Sequence, residues 1–113
     1  MTEAAFRELA LAHQGTVESS HMWHANFRIN RKIFATLPFE GECDAKGNVT
    51  GGVGVLKLTP DQQDEFIGRW PSAFEPAPGA WGKRGYTRML LCNVTKPIAR
   101  RALSRAFQNA RRE

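Results

Sequence analysis

The chain has 113 residues, 42% hydrophobic and 24% charged, with ten glycines and six prolines, which fits one globular domain with a single core and excludes collagen-like, low-complexity and wholly disordered chains. The apolar run Met89 to Cys92 falls far short of the roughly 18 residues a membrane-spanning helix needs, and Met1 to Ala12 carries Glu3, Arg7 and Glu8 where a secretory signal is apolar, so a cytoplasmic protein is expected. The formal net charge of +5 is unevenly spread: from Lys83 onward nine bases face the single acid Glu113, a balance of +8, whereas residues 1–82 carry seven bases and ten acids, a balance of −3.

Thr2 is placed to cap a first helix running to about Gln14, with Gly15 as its left-handed stop and Phe6, Leu9, Ala10 and His13 on one face. Phe27-Arg28-Ile29-Asn30 alternates apolar and polar, and Ile33 to Leu37 runs back after Asn30-Arg31, which predicts a hairpin. Asn30 accepts a positive φ, but Arg31 stands where glycine is favoured, leaving the turn type open. Pro38 closes that strand. The polar, glycine-bearing stretch Phe39 to Gly52 reads as a long mobile hairpin loop, followed by a strand at Val53 to Leu58. Thr59-Pro60-Asp61-Gln62 combines a threonine cap, a first-turn proline and a glutamine in the capping-box position, predicting a helix to about Gly68 with Phe66, Ile67 and Trp70 packed on the sheet.

Pro71, Pro76 and Pro78 make the next stretch irregular extended chain. Tyr86 to Leu91 is the last strand, and Thr95-Lys96-Pro97 opens a final helix to about Ala110. Its Ile98, Ala99, Ala102, Leu103, Ala106, Phe107 and Ala110 fill one half of the helical wheel; Arg100, Arg101, Arg105 and Arg112 fill the other. The order α-β-β-β-α-β-α with hairpin-type connections predicts a single two-layer α+β domain, an antiparallel sheet packed by helices on one side.

Several blocks carry a resemblance. Phe27 to Leu37, Leu56-Lys57-Leu58, Phe74-Glu75-Pro76 and Gly79-Ala80-Trp81-Gly82-Lys83-Arg84-Gly85-Tyr86-Thr87 together resemble the MmcQ/YjbR family of small bacterial proteins. The resemblance implies a YjbR-like α+β fold over nearly the whole chain, a fold likened to secretion chaperones and described as a double-wing arrangement suited to DNA binding. It implies no catalytic residues. Basic wing tips would lie around Asn30-Arg31-Lys32 and Ala80 to Gly85.

The strongest chemical signal is Trp81-Gly82-Lys83-Arg84-Gly85-Tyr86-Thr87-Arg88, where cations, aromatics and glycines alternate. Glycines let a backbone approach a phosphate, Lys83, Arg84 and Arg88 neutralise it, and Trp81 or Tyr86 offers a stacking surface for an unpaired base. The competing reading makes Trp81 a plug for the core beneath the loop, with the cations merely solvated. Arg100, Arg101 and Arg105 form a second positive surface, although charge runs are usually solvated exteriors and Arg111 and Arg112 suit a helix C-terminus without any ligand; Arg31 and Lys32 would extend the patch that the loop and the helix make together. Only Gln108 and Asn109 accompany these arginines as amides, so base-specific readout is thin.

Cys43 and Cys92 build neither a disulfide framework nor a four-sulfur zinc site, and His21-x-x-His24 with His13 or Cys43 is weak metal spacing, so no metal or cofactor is expected. His13 reads as a partly buried structural histidine. Gly51-Gly52-Val53-Gly54 leads into a strand rather than the helix a phosphate cradle needs, and no nucleophile elbow, Walker loop or His-Glu-x-x-His occurs. The expectation is a monomeric, non-enzymatic, cytoplasmic protein whose partner is DNA or another nucleic acid, bound without sequence preference through Arg31, Lys32, Trp81, Lys83, Arg84, Arg88, Arg100, Arg101 and Arg105. The alternative is a protein-interaction or chaperone-like adaptor using the open sheet face or the Trp81 loop.

Overall fold

A threonine hydroxyl starts the chain's first helix. In the structure, a computed structural model that describes residues 1–21, 24–38 and 52–112, Thr2 Oγ1 accepts the Ala5 N–H at 3.1 Å, and α1 spans Glu3–Leu11, burying Phe6, Leu9 and Ala10. The helix ends three residues before the expected Gln14. His13 leaves the helical path to stack on Phe107, ring centroids 4.7 Å apart, and Gly15 turns the chain with φ +88°. All of the expected Phe39 to Gly52 loop except Gly52 lies outside the described residues, with Cys43 in it, as do the side chains of His21 and His24.

Six strands follow among the described residues: β1 (Val17–His21), β2 (His24–Ile29), β3 (Lys32–Pro38), β4 (Val53–Lys57), β5 (Phe74–Pro76) and β6 (Tyr86–Leu90), all antiparallel in the spatial order β1-β2-β3-β4-β6-β5. The expected seven-element order therefore lacks β1, β5 and a short helix, α3 (Ala80–Lys83). Both missed strands are sheet edges. β1 is polar and exposed, with Val17 62% accessible, and is held by its backbone pairing with β2 and by the Arg7 to Glu18 ion pair at 3.0 Å. β5 tolerates Pro76 because an edge strand needs hydrogen bonds on one side only. The β2–β3 turn resolves as a positive-φ pair, Asn30 at 52° and Arg31 at 68°, the backbone signature of a type I′ hairpin despite the arginine.

Helices α2 (Pro60–Arg69) and α4 (Lys96–Arg112) complete the second layer. The capping box over Thr59 is present in both directions, with Gln62 N–H donating to Thr59 Oγ1 at 3.2 Å and Thr59 N–H to Gln62 Oε1 at 3.0 Å. α4 buries Ala99, Ala102, Leu103, Ala106, Phe107 and Ala110 against β2, β3 and β4. Its small residues let the helix approach the sheet closely, while Phe107 meets Phe34 edge-on at 5.5 Å. Phe6, Phe27, Phe34, Phe74, Leu56, Met89 and Leu103 lie fully buried between the layers, each contributing about 1.5–3 kcal/mol by burial.

Candidate nucleic-acid interface

Strand alternation decides on which side of the sheet each basic residue falls. Ala35, Leu56, Thr87 and Met89 point into the helix-covered core and are at most 1% exposed; their neighbours Thr36, Val55, Tyr86 and Arg88 are half-buried on the opposite, open face. Trp81 lies on that open face. With Ile33, Thr36, Val55, Ala77, Pro78 and Tyr86 it lines an apolar hollow of about 350 Å³, its ring edge-on to Tyr86 at 5.1 Å and the Arg84 guanidinium 5.4 Å from its centroid. At 57% exposure Trp81 is not a plug for the core.

The glycines beside it have a structural reason. Gly82 and Gly85 are buried: a Cβ on Gly82 would overlap the Ala77 carbonyl, and one on Gly85, at φ +107°, would overlap the Leu58 carbonyl. They let backbone pass close to backbone, and neither presents an N–H surface to an external phosphate. Gln63 of α2 ties the loop down, its amide Nε2 donating to Tyr86 O at 2.9 Å, Gly82 O at 3.1 Å and Thr87 Oγ1 at 3.2 Å. Arg88 is paired with Glu75 across β5 and β6, so its charge is locally neutralised. Lys83 and Arg84 are exposed near Trp81; Arg31 and Lys32 are exposed at the β2–β3 turn.

Arg100, Arg101 and Arg105 stand on the other side of the sheet. α4 runs antiparallel to α2, fixed at one end by Asn109, whose Nδ2 donates to Lys57 O at 2.9 Å and Gln62 Oε1 at 2.7 Å. Farther along, the helices part into a groove of about 290 Å³ lined by Arg100, Arg101, Ser104 and Arg105 from α4 and Glu65, Phe66, Arg69 and Trp70 from the α2 side. None of these four arginines is in an ion pair with a described residue. Arg69 is the residue the sequence reading missed. It sits in the acidic part of the chain, and only the capping box, which sets the phase of α2, places it opposite the α4 arginines.

The nine candidate residues therefore do not form one surface. Trp81, Arg84 and Arg88 belong to the open sheet face with Lys83 near them, Arg100, Arg101 and Arg105 to the helix face, and Arg31 and Lys32 to the sheet's end. Among the described residues no helix is long and apolar enough to cross a membrane, and no three His, Cys, Asp or Glu side chains cluster as metal ligands.

No family model and no curated protein matches the sequence. The fold is similar to that of the Deinococcus radiodurans protein DR2400, which carries the family-model domain DUF419, with a TM-score of 0.71 at 14% identity over 94% of this chain and 75% of that one. It is also similar to a Pseudomonas syringae protein, with a TM-score of 0.73 at 20% identity over 98% of this chain and all of that one. These likenesses show the fold alone, a small α+β domain, which in this chain has a six-stranded antiparallel sheet and four helices among the described residues.

Proposed function

We propose that this chain is a YjbR-like cytoplasmic protein that binds nucleic acid without sequence preference, through the helix face, and acts by binding rather than catalysis. The observation that carries the reading is the α2–α4 groove, where four arginines from two helices converge with Glu65 as the one acid among the lining residues. From Arg100 to Arg112 the exposed arginines span about 18 Å of helix, the axial rise of roughly five phosphates on one strand. Sequence readout is unsupported, because the Asn109 amide is already bonded to Lys57 and Gln62. The test is fluorescence anisotropy of labelled oligonucleotides of unrelated sequence over a salt series. Replacing Arg100, Arg101 and Arg105 together by Gln is expected to flatten the log-log salt slope by about 2–3, at roughly 0.7–0.9 for each phosphate that is no longer neutralised. Replacing Lys83 and Arg84 by Gln leaves the slope unchanged. Absence of binding by the unaltered protein at low salt refutes the proposal.

The apolar hollow around Trp81 favours a second reading, in which a partner protein docks on the open sheet face. On that reading Trp81→Ala abolishes capture of the partner while the salt slope for nucleic acid stays intact.

A further inference from the structure

We infer that the α2–α4 groove accommodates one unpaired nucleotide, its base against Trp70 and its phosphates along α4, so that the protein prefers single-stranded to duplex nucleic acid. This rests on the nucleic-acid reading above and adds to it the form of nucleic acid and the group that recognises it.

The two walls of the groove differ in chemistry. On the α4 wall Arg100, Arg101 and Arg105 surround Ser104, a hydroxyl flanked by cations. The opposite wall has Trp70 and Phe66 as an apolar floor, with Glu65 repelling phosphate and thereby confining it to the α4 side. Trp70 is half-buried and held by Phe66 at 5.5 Å and Phe74 at 6.3 Å, so its ring is fixed before any ligand arrives. The Arg69 guanidinium lies over the Trp70 ring, 5.7 Å from its centroid, and offers its own planar face to a base that enters there. At about 290 Å³ the groove is at the small end of ligand sites and suits a single nucleotide. In a duplex the base faces are covered by their neighbours and cannot reach Trp70. Charge alone favours the duplex, whose phosphates are denser, so a preference for the single strand requires contact with the bases.

The experiment compares single-stranded and duplex oligonucleotides of equal length by anisotropy at fixed salt. The unaltered protein is expected to bind the single strand more tightly. Trp70→Leu keeps an apolar contact to Phe66 but no π-face, and weakens single-strand binding about 5- to 150-fold with duplex binding unchanged; Trp70→Phe restores part of the loss, and Trp81→Ala leaves the preference intact. A protein with Trp23→Phe and Trp81→Phe retains Trp70 as its one tryptophan. Its emission is expected to be quenched by oligothymidylate and not by duplex, a readout that does not depend on the Leu variant folding. Equal affinity for both forms with a normal salt slope overturns the base contact and leaves the phosphate reading standing. A preference that survives Trp70→Leu, or disappears with Trp81→Ala, also overturns it. Failure of both forms to bind at low salt overturns the nucleic-acid reading itself.

Discussion

Gln63 offers a test of how the Trp81 loop is held. Gly82 O and Tyr86 O only accept hydrogen bonds, so the amide must turn its Nε2 toward them, as observed at 3.1 and 2.9 Å, with Thr87 Oγ1 as a third partner. Tyr86 O also receives the Ala77 N–H and Gly82 O the Gly85 N–H. Gln63→Leu therefore strands neither carbonyl and removes roughly two net hydrogen bonds, about 1–3 kcal/mol. At an unfolding entropy near 2.1 cal/mol/K per residue, that lowers Tm by about 4–13 °C at every pH. Gln63→Glu keeps the shape but sets a carboxyl against three oxygens in a site only 8% exposed, which raises its folded pKa above the ordinary value of about 4.3. Below that pH the group is protonated in both states and still donates one hydrogen bond. As pH rises, the unfolded chain ionises first and binds fewer protons, so stability falls by up to about 1.4 kcal/mol per pH unit until the folded group titrates. Calorimetric scans from pH 4 to 8, each referenced to the unaltered protein, should show the Glu variant losing Tm with rising pH while the Leu variant runs parallel. A Glu variant that tracks the unaltered protein throughout refutes the donor assignment.

Two further outcomes follow from backbone geometry. Gly85→Ala combines a left-handed φ with overlap on the Leu58 carbonyl and should cost about 3 kcal/mol or more, a Tm loss beyond about 10 °C by circular dichroism; an unchanged melt would show that the turn does not need glycine. Arg31→Gly relieves a non-glycine residue at φ 68° and should raise Tm by about 2–4 °C, net of glycine's larger unfolded-state entropy. A lower Tm would mean that the arginine side chain itself holds the turn.

Elements built on a strong local signal were legible in the sequence. Thr59-Pro60-Asp61-Gln62 fixed the start of α2 to the residue, because both hydrogen bonds of its box are local. The apolar half-wheel of α4 matches its buried residues from Ala99 to Ala110, with Ile98 half-buried at the start of the helix, because one helix face packs on one sheet. β1 was illegible for the converse reason: Val17-Glu18-Ser19-Ser20 buries no side chain, and its order comes from backbone pairing with β2, which leaves no apolar pattern in the sequence. Pro76 concealed β5, since proline argues against a strand except where one edge faces solvent. The type I′ backbone at Asn30-Arg31 is imposed by the twist of the flanking strands on a residue that would not choose it locally.

The candidate site was harder to read, because a run of charge in sequence need not be a patch in space. Lys83 to Arg88 enter β6 from its start, where alternation sends Tyr86 and Arg88 to the open face, whereas α4 returns on the covered face after the strand ends. The sheet thus divides the basic third of the chain. On the open side Glu75 neutralises the charge of Arg88. On the helix side Arg100, Arg101 and Arg105 keep theirs and gain Arg69 from a segment whose overall charge is negative. Two faces of opposite character follow: a basic groove with an aromatic floor and an apolar hollow around Trp81. A polyanion on the first leaves the second uncovered, so nucleic-acid binding and the docking of a protein partner are compatible on one molecule, and substitutions on either face separate them.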